Sequence, residues 1–89
     1  MASRKSPKLI IAVLDRGWVF IGRVEESPRS ITLNRAACIR YWGTTKGIGQ
    51  LALEGPQPQT KLDEAGTVTV PRHAVICLLE AAEGKWTGR

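Results

Sequence analysis

The sequence predicts a single all-β, mainly β domain of five strands, and three observations predict it. Short apolar runs rich in β-formers are each stopped by turn residues, one run alternates cleanly over 18–24, and a β-branched run at 67–70 ends at Pro71 before a last apolar run.

Strand one covers 8–14 and is stopped by Asp15-Arg16-Gly17, a tight-turn tripeptide. Over 18–24, Trp18, Phe20, Gly22 and Val24 share one face, and Val19, Ile21 and Arg23 share the other. Gly22 in mid-strand marks a sharp bend or a bulge. Residues 25–30, with Ser27-Pro28 at their centre, form a turn. Strand three resumes at 31–33 and runs on through 37–41, with an interruption expected at Asn34-Arg35. Strand four is 67–70. Pro71 breaks the ladder because it lacks an N–H, and 74–79 is the fifth strand.

Between strands three and four, residues 42–66 hold many glycines and prolines yet also Ile48, Leu51, Ala52 and Leu53. The reading is a long inserted loop or a short helix, capped by Thr44 or Thr45, running over about 46–54 and closed by Gly55-Pro56. Residues 1–7 read as an N-terminal tail. Residues 83–89 read as a loosely ordered tail unless the Trp86 indole docks. The domain is thus 1–89 as one unit.

A chain of 89 residues, 43% hydrophobic and 24% charged, is an ordinary globular composition with a modest core, which association of subunits would support. Cys38 and Cys77 lie in apolar stretches without a CxxC pair, so buried thiols in a reducing cytosol are expected rather than a disulfide or a metal site. The basic residues 1–8 precede an apolar run at 9–14 too brief for a signal core or a membrane span. A cytoplasmic protein with no membrane partner is expected. Thirteen Lys and Arg against eight Asp and Glu give +5, which favours polyanionic partners. Between 27 and 53 stand Arg29, Arg35, Arg40 and Lys46 and no acid. One-signed stretches form binding faces, or scatter as unrelated solvated positions.

The spacing of Gly17 and Gly22, followed by Ile31 and Leu33, and the later Val68-Thr69-Val70-Pro71-Arg72-His73-Ala74-Val75-Ile76, resemble the Sm-like (LSm and Hfq-type) proteins. The resemblance covers most of the chain outside 42–66, where that family has its most variable loop. It implies a strongly bent five-strand barrel, of the SH3-like small-barrel kind, that closes into rings through edge strands and so forms a homo-oligomer. It also implies RNA contact by the basic-His pair, here Arg72 and His73. Guanidinium binds phosphate bidentately, and imidazole donates to an anion or stacks on a base; a lone His also serves simply to hold a turn. Arg29, Ser30 and Pro71 replace the residues with which Hfq holds a base, so that mode of recognition does not carry over.

The block Arg40-Tyr41-Trp42-Gly43-Thr44-Thr45-Lys46-Gly47-Ile48-Gly49 resembles small accessory proteins of tailed bacteriophages, some of which inhibit host defence or sequester its signalling nucleotides. Glycine N–H groups and the Thr44 and Thr45 hydroxyls offer donors to phosphate, Lys46 adds charge, and Tyr41 or Trp42 offers a stacking face. The order is not that of a P-loop. The competing expectation makes Trp42 an apolar lid. One His, no nucleophile motif and no clustered carboxylates argue against an enzyme, and no cofactor is implied.

Two functions follow. One is a binder of RNA or a small nucleotide through Arg72, His73, Arg40 and the Tyr41–Lys46 block. The other is an anti-defence protein that acts by contact with a host defence protein, with Trp18, Trp42 or Trp86 as anchors, or by sequestering its signalling nucleotide.

Overall fold

In the computed structural model, which describes residues 7–89, five strands form: β1 (Leu9–Leu14), β2 (Val19–Glu26), β3 (Ser30–Tyr41), β4 (Lys61–Pro71) and β5 (Val75–Glu80). One helix, α1 (Ile48–Glu54), lies between β3 and β4. The strands make a single antiparallel sheet in the order β4-β3-β2-β1-β5, with β4 and β5 at its edges. Apart from Pro7, the tail expected over 1–7 lies outside the described residues. Among the described residues, no helix is long and apolar enough to cross a membrane.

The bend expected at Gly22 and the interruption expected at Asn34-Arg35 are one feature. Ile21 pairs with Ala37 and Arg23 with Asn34, so β3 spends one more residue than β2 across this gap, while remaining a continuous strand. Arg35 adopts φ 53° to accommodate the extra residue. Because side chains alternate with a period of two, the insertion exchanges the faces of β3. Leu33 and Ala36 enter one apolar cluster, while Ala37 and Ile39 enter the other. Opposite the bulge, a Cβ on Gly22 would stand 3.0 Å from the Leu33 Cβ and 3.2 Å from that of Ala36. Glycine is what lets the two strands close there.

Both faces of the sheet are therefore buried around β1. Leu9 and Ile11 join Val19, Ile21, Ala37 and Ile39 on the face that α1 covers with Leu51 and Ala52. Ile10, Ala12 and Leu14 join Leu33 and Ala36 on the other, against which Val68 and Val70 of β4 and Val75 of β5 also pack. Burial on both sides explains why β1 reads Leu-Ile-Ile-Ala-Val-Leu without alternation.

Several boundaries differ from the sequence reading. α1 begins at Ile48, not near 46, and Gly47 stands at its N-cap with no side-chain cap bond. β4 begins at Lys61 rather than 67, so the insertion is 42–60; its first half, Lys-Leu-Asp-Glu-Ala-Gly, is an edge strand with mostly exposed side chains and has little apolar pattern to show. Cys77 is exposed on β5 and Cys38 is half-buried, so neither is a fully buried thiol.

The C-terminal segment is docked. Trp86 is 3% exposed in the α1-side core, and its Nε1–H donates to the Leu51 carbonyl at 3.0 Å. Gly55 ends α1 at φ 85°, where a Cβ would meet the Lys85 carbonyl oxygen at 2.5 Å. Arg23 donates to Glu83 at 2.8 Å and to the Arg89 carbonyl at 2.6 Å, and the Arg89 guanidinium pairs with Glu64 and donates to the Arg35 carbonyl. These guanidiniums hold the Glu83 and Glu64 carboxyls below the ordinary value of 4.5. A carboxyl depressed on folding stabilises above its unfolded pKa, and that contribution is lost as pH falls through the folded value. The thermal midpoint is expected to fall once pH drops below about 4.5. Glu64→Gln with Glu83→Gln should flatten that limb in pH-dependent thermal melts; an unchanged limb would rule the pairs out as its source.

Candidate nucleotide-binding cleft

The end of β3 brings together residues far apart in sequence. Cys38 pairs with Phe20 on β2 and with Asp63 on β4, and Tyr41 pairs with Lys61. Just ahead of β2, Trp18 stacks on Phe20, with ring centroids 6.1 Å apart and planes 10° from parallel. Arg40 reaches across to β4, donating from Nε to Asp63 Oδ2 at 2.7 Å and from Nη2 to Oδ1 at 3.3 Å. This fork-on-carboxylate geometry fixes the guanidinium plane.

Two open clefts flank that guanidinium. The larger, about 560 Å3, is lined by Arg40, Tyr41, Trp42, Gly43, Thr44 and Gln59. The smaller, about 320 Å3, has Trp18, Cys38, Arg40 and Asp63 in its wall. Tyr41 is 58% exposed, Trp18 56% and Trp42 38%, so Trp42 is not a buried lid. Burial first, then the Asp63 carboxylate, push the Cys38 thiol above its ordinary value of 9.0. Cys38 therefore stays a neutral thiol at pH 7 and is no activated nucleophile.

The wall of the larger cleft depends on Gly43, whose φ is 66° and whose missing Cβ would lie 2.5 Å from the Gln59 carbonyl carbon. The Thr60 hydroxyl donates to the Trp42 carbonyl at 2.6 Å and closes the same junction. Beyond it the chain turns its donors inward. Gln50 Oε1 accepts the Thr45 and Lys46 N–H groups at 3.0 and 2.9 Å, and the Thr44 hydroxyl accepts Gly47 N–H at 3.1 Å. These bonds hold the approach to α1, and of the donors expected for phosphate they engage Gly47 N–H. The Thr45 and Lys46 side chains are exposed.

Arg72 and His73 do not join this site. Pro71 pairs with Ser30 at one end of the 12-residue β3, and Lys61 with Tyr41 at the other. Arg72 donates from Nε to the Ser27 carbonyl at 2.7 Å and from Nη2 to Glu26 at 2.6 Å, which ties it to the β2–β3 turn. His73 is exposed beside it. Residues that sequence reasoning did not place in the clefts are Asp63, which arrives through β3–β4 pairing, and Gln59, which arrives through the close approach of Gly43 to the 59–60 segment; neither leaves a local motif. Among the described residues, no group of three or more His, Cys, Asp or Glu gathers to hold a metal ion. No protein-family model matches the sequence, and no curated protein matches it.

Proposed function

We propose that this chain is a non-enzymatic, Sm-like binding protein that takes RNA or a small nucleotide at the Arg40–Tyr41–Trp42 cleft, working as an oligomer of its own copies. The observation that carries the reading is a guanidinium fixed between exposed aromatic faces on a chain of net charge +5. A cation for phosphate beside a ring for a base is the minimum that nucleotide binding needs. The Sm-like, barrel-type reading is supported by the strand order, by the bend at Gly22, and by Val68, Val70 and Val75 of the two edge strands packing on one cluster. Oligomerisation is supported by the edge strand β5, where Ile76 is 66% exposed and Cys77 and Leu78 are also exposed. An exposed apolar edge is a template for another strand. In such an assembly Arg72 and His73 form a second basic rim, apart from the cleft.

The test is native mass spectrometry of the purified protein before and after denaturation, with and without an added hexaribonucleotide. An oligomer that retains nucleotide, or gains the hexamer's mass, supports the reading. A bare monomer that gains nothing overturns it. Binding by phosphate contacts should also weaken between about 50 and 200 mM salt, by a factor set by the number of phosphates neutralised. The exposure of Trp18 and Tyr41 favours a second reading, in which they anchor a host defence protein and the chain acts as a bacteriophage anti-defence factor. Salt-insensitive binding to a protein, with no nucleotide retained, would decide for it.

A further inference from the structure

Arg40 belongs to both clefts, and each cleft has its own aromatic face: Trp18 in the smaller, Tyr41 and Trp42 in the larger. A single nucleotide would fill one cleft and leave the other open, with a half-exposed indole in its wall. In a dinucleotide, by contrast, one phosphate sits covalently between two bases. A cation between two stacking surfaces has the same order of parts.

The hydrogen bonding of Arg40 permits this. A guanidinium has five N–H donors, and Asp63 engages only Nε and one side of Nη2. Among the described residues Nη1 has no acceptor, so an anion can bind without breaking the ion pair. Asp63 also gives the arrangement a direction. Its carboxylate repels a phosphate from the Trp18 cleft, yet it accepts from exocyclic amino groups of the kind that guanine, adenine and cytosine carry and uracil lacks.

We propose that the two clefts together bind two nucleobases joined by one phosphodiester. The phosphate meets Arg40, an N–H-presenting base lies against Trp18 beside Asp63, and the second base lies against Tyr41 and Trp42. This rests on the nucleotide-binding reading above and narrows it from one nucleotide to a dinucleotide step, either free or within an RNA strand.

Isothermal titration of the intact protein with pGpG, pApA and pUpU, with the matching mononucleotides, and with the corresponding hexaribonucleotides tests it. At least one dinucleotide is expected to bind about tenfold more tightly than its mononucleotide, and a purine dinucleotide more tightly than pUpU. Trp18→Ala should weaken the favoured dinucleotide about tenfold, and Trp18→Phe should restore most of the loss, with circular dichroism confirming that both variants are folded. A hexamer that binds more tightly than the dinucleotide identifies an RNA strand as the source; a dinucleotide that binds at least as tightly identifies a free dinucleotide. Mononucleotides that bind within twofold of the dinucleotides would overturn the two-base site and leave the nucleotide-binding reading standing, as would a Trp18→Ala variant with unaltered dinucleotide affinity. No binding by any of the probes overturns both.

Discussion

Trp86→Ala is expected to lower the unfolding free energy by about 3–5 kcal/mol, the cost of emptying a buried aromatic site. That is a large share of the roughly 5–15 kcal/mol that holds a small domain folded. The indole joins Leu51 and Ala52 of α1 to Leu9, Ile11 and Ala81, so its removal loosens the helix and the C-terminal segment together. Trp86→Phe separates packing from hydrogen bonding. The Leu51 carbonyl also accepts Gly55 N–H at 2.9 Å, so it keeps a partner when the indole N–H is lost. The phenylalanine variant should therefore lose only about 1–2 kcal/mol. Denaturant melts followed by circular dichroism will read both. A Trp86→Ala midpoint close to that of the parent would mean the segment contributes little to the folded state.

Gly43→Ala is expected to damage both the fold and the cleft. The new Cβ would stand 2.5 Å from the Gln59 carbonyl carbon and 2.7 Å from the Thr60 nitrogen, both backbone atoms that have no side-chain freedom to yield. At φ 66° a β-carbon also carries a left-handed penalty of about 1–2 kcal/mol. The combined loss should reach about 2–4 kcal/mol. Any folded fraction must separate Trp42 from the 59–60 segment, disturbing the Thr60–Trp42 bond, and is expected to bind oligonucleotide at least tenfold more weakly. By contrast Gly49→Ala on α1 meets nothing within 4 Å and should leave the cleft intact. Parallel melts and binding titrations on the two variants check the pair. Equal behaviour would mean that Gly43 does not shape the site.

Elements buried on both faces or cleanly alternating were legible from sequence. β1 announced itself as an unbroken apolar run, β2 by its alternation, and the bulge as two unconnected signals, a strand glycine at 22 and an Asn-Arg pair at 34–35, which only the register joins. The first half of β4 was not legible, because Lys61, Asp63 and Glu64 are exposed on an edge strand and its Gly66 reads as a turn. The candidate site divides in the same way. Residues 40–46 are contiguous, so they stood out as a block, whereas Trp18 and Asp63 reach Arg40 only through strand register, which no local pattern encodes. The Sm-like resemblance is what brought Arg72 and His73 into the same binding reading as that block, whereas β3 holds them at its far end.

The single additional residue in β3 makes this strand a junction between two reading frames of alternation. Upstream of it, odd-numbered Leu33 faces the cluster that even-numbered Ala36 faces downstream, so neither frame describes the whole strand. Drift by substitution is tolerated here wherever size and polarity are kept. Drift by length is not: losing Arg35, the residue between Asn34 and Ala36, would remove one side chain while placing half of β3 out of phase with β2 and β4. Descendants of this chain should therefore stay constant in the count of residues from Ser30 to Tyr41 even where the residues themselves change.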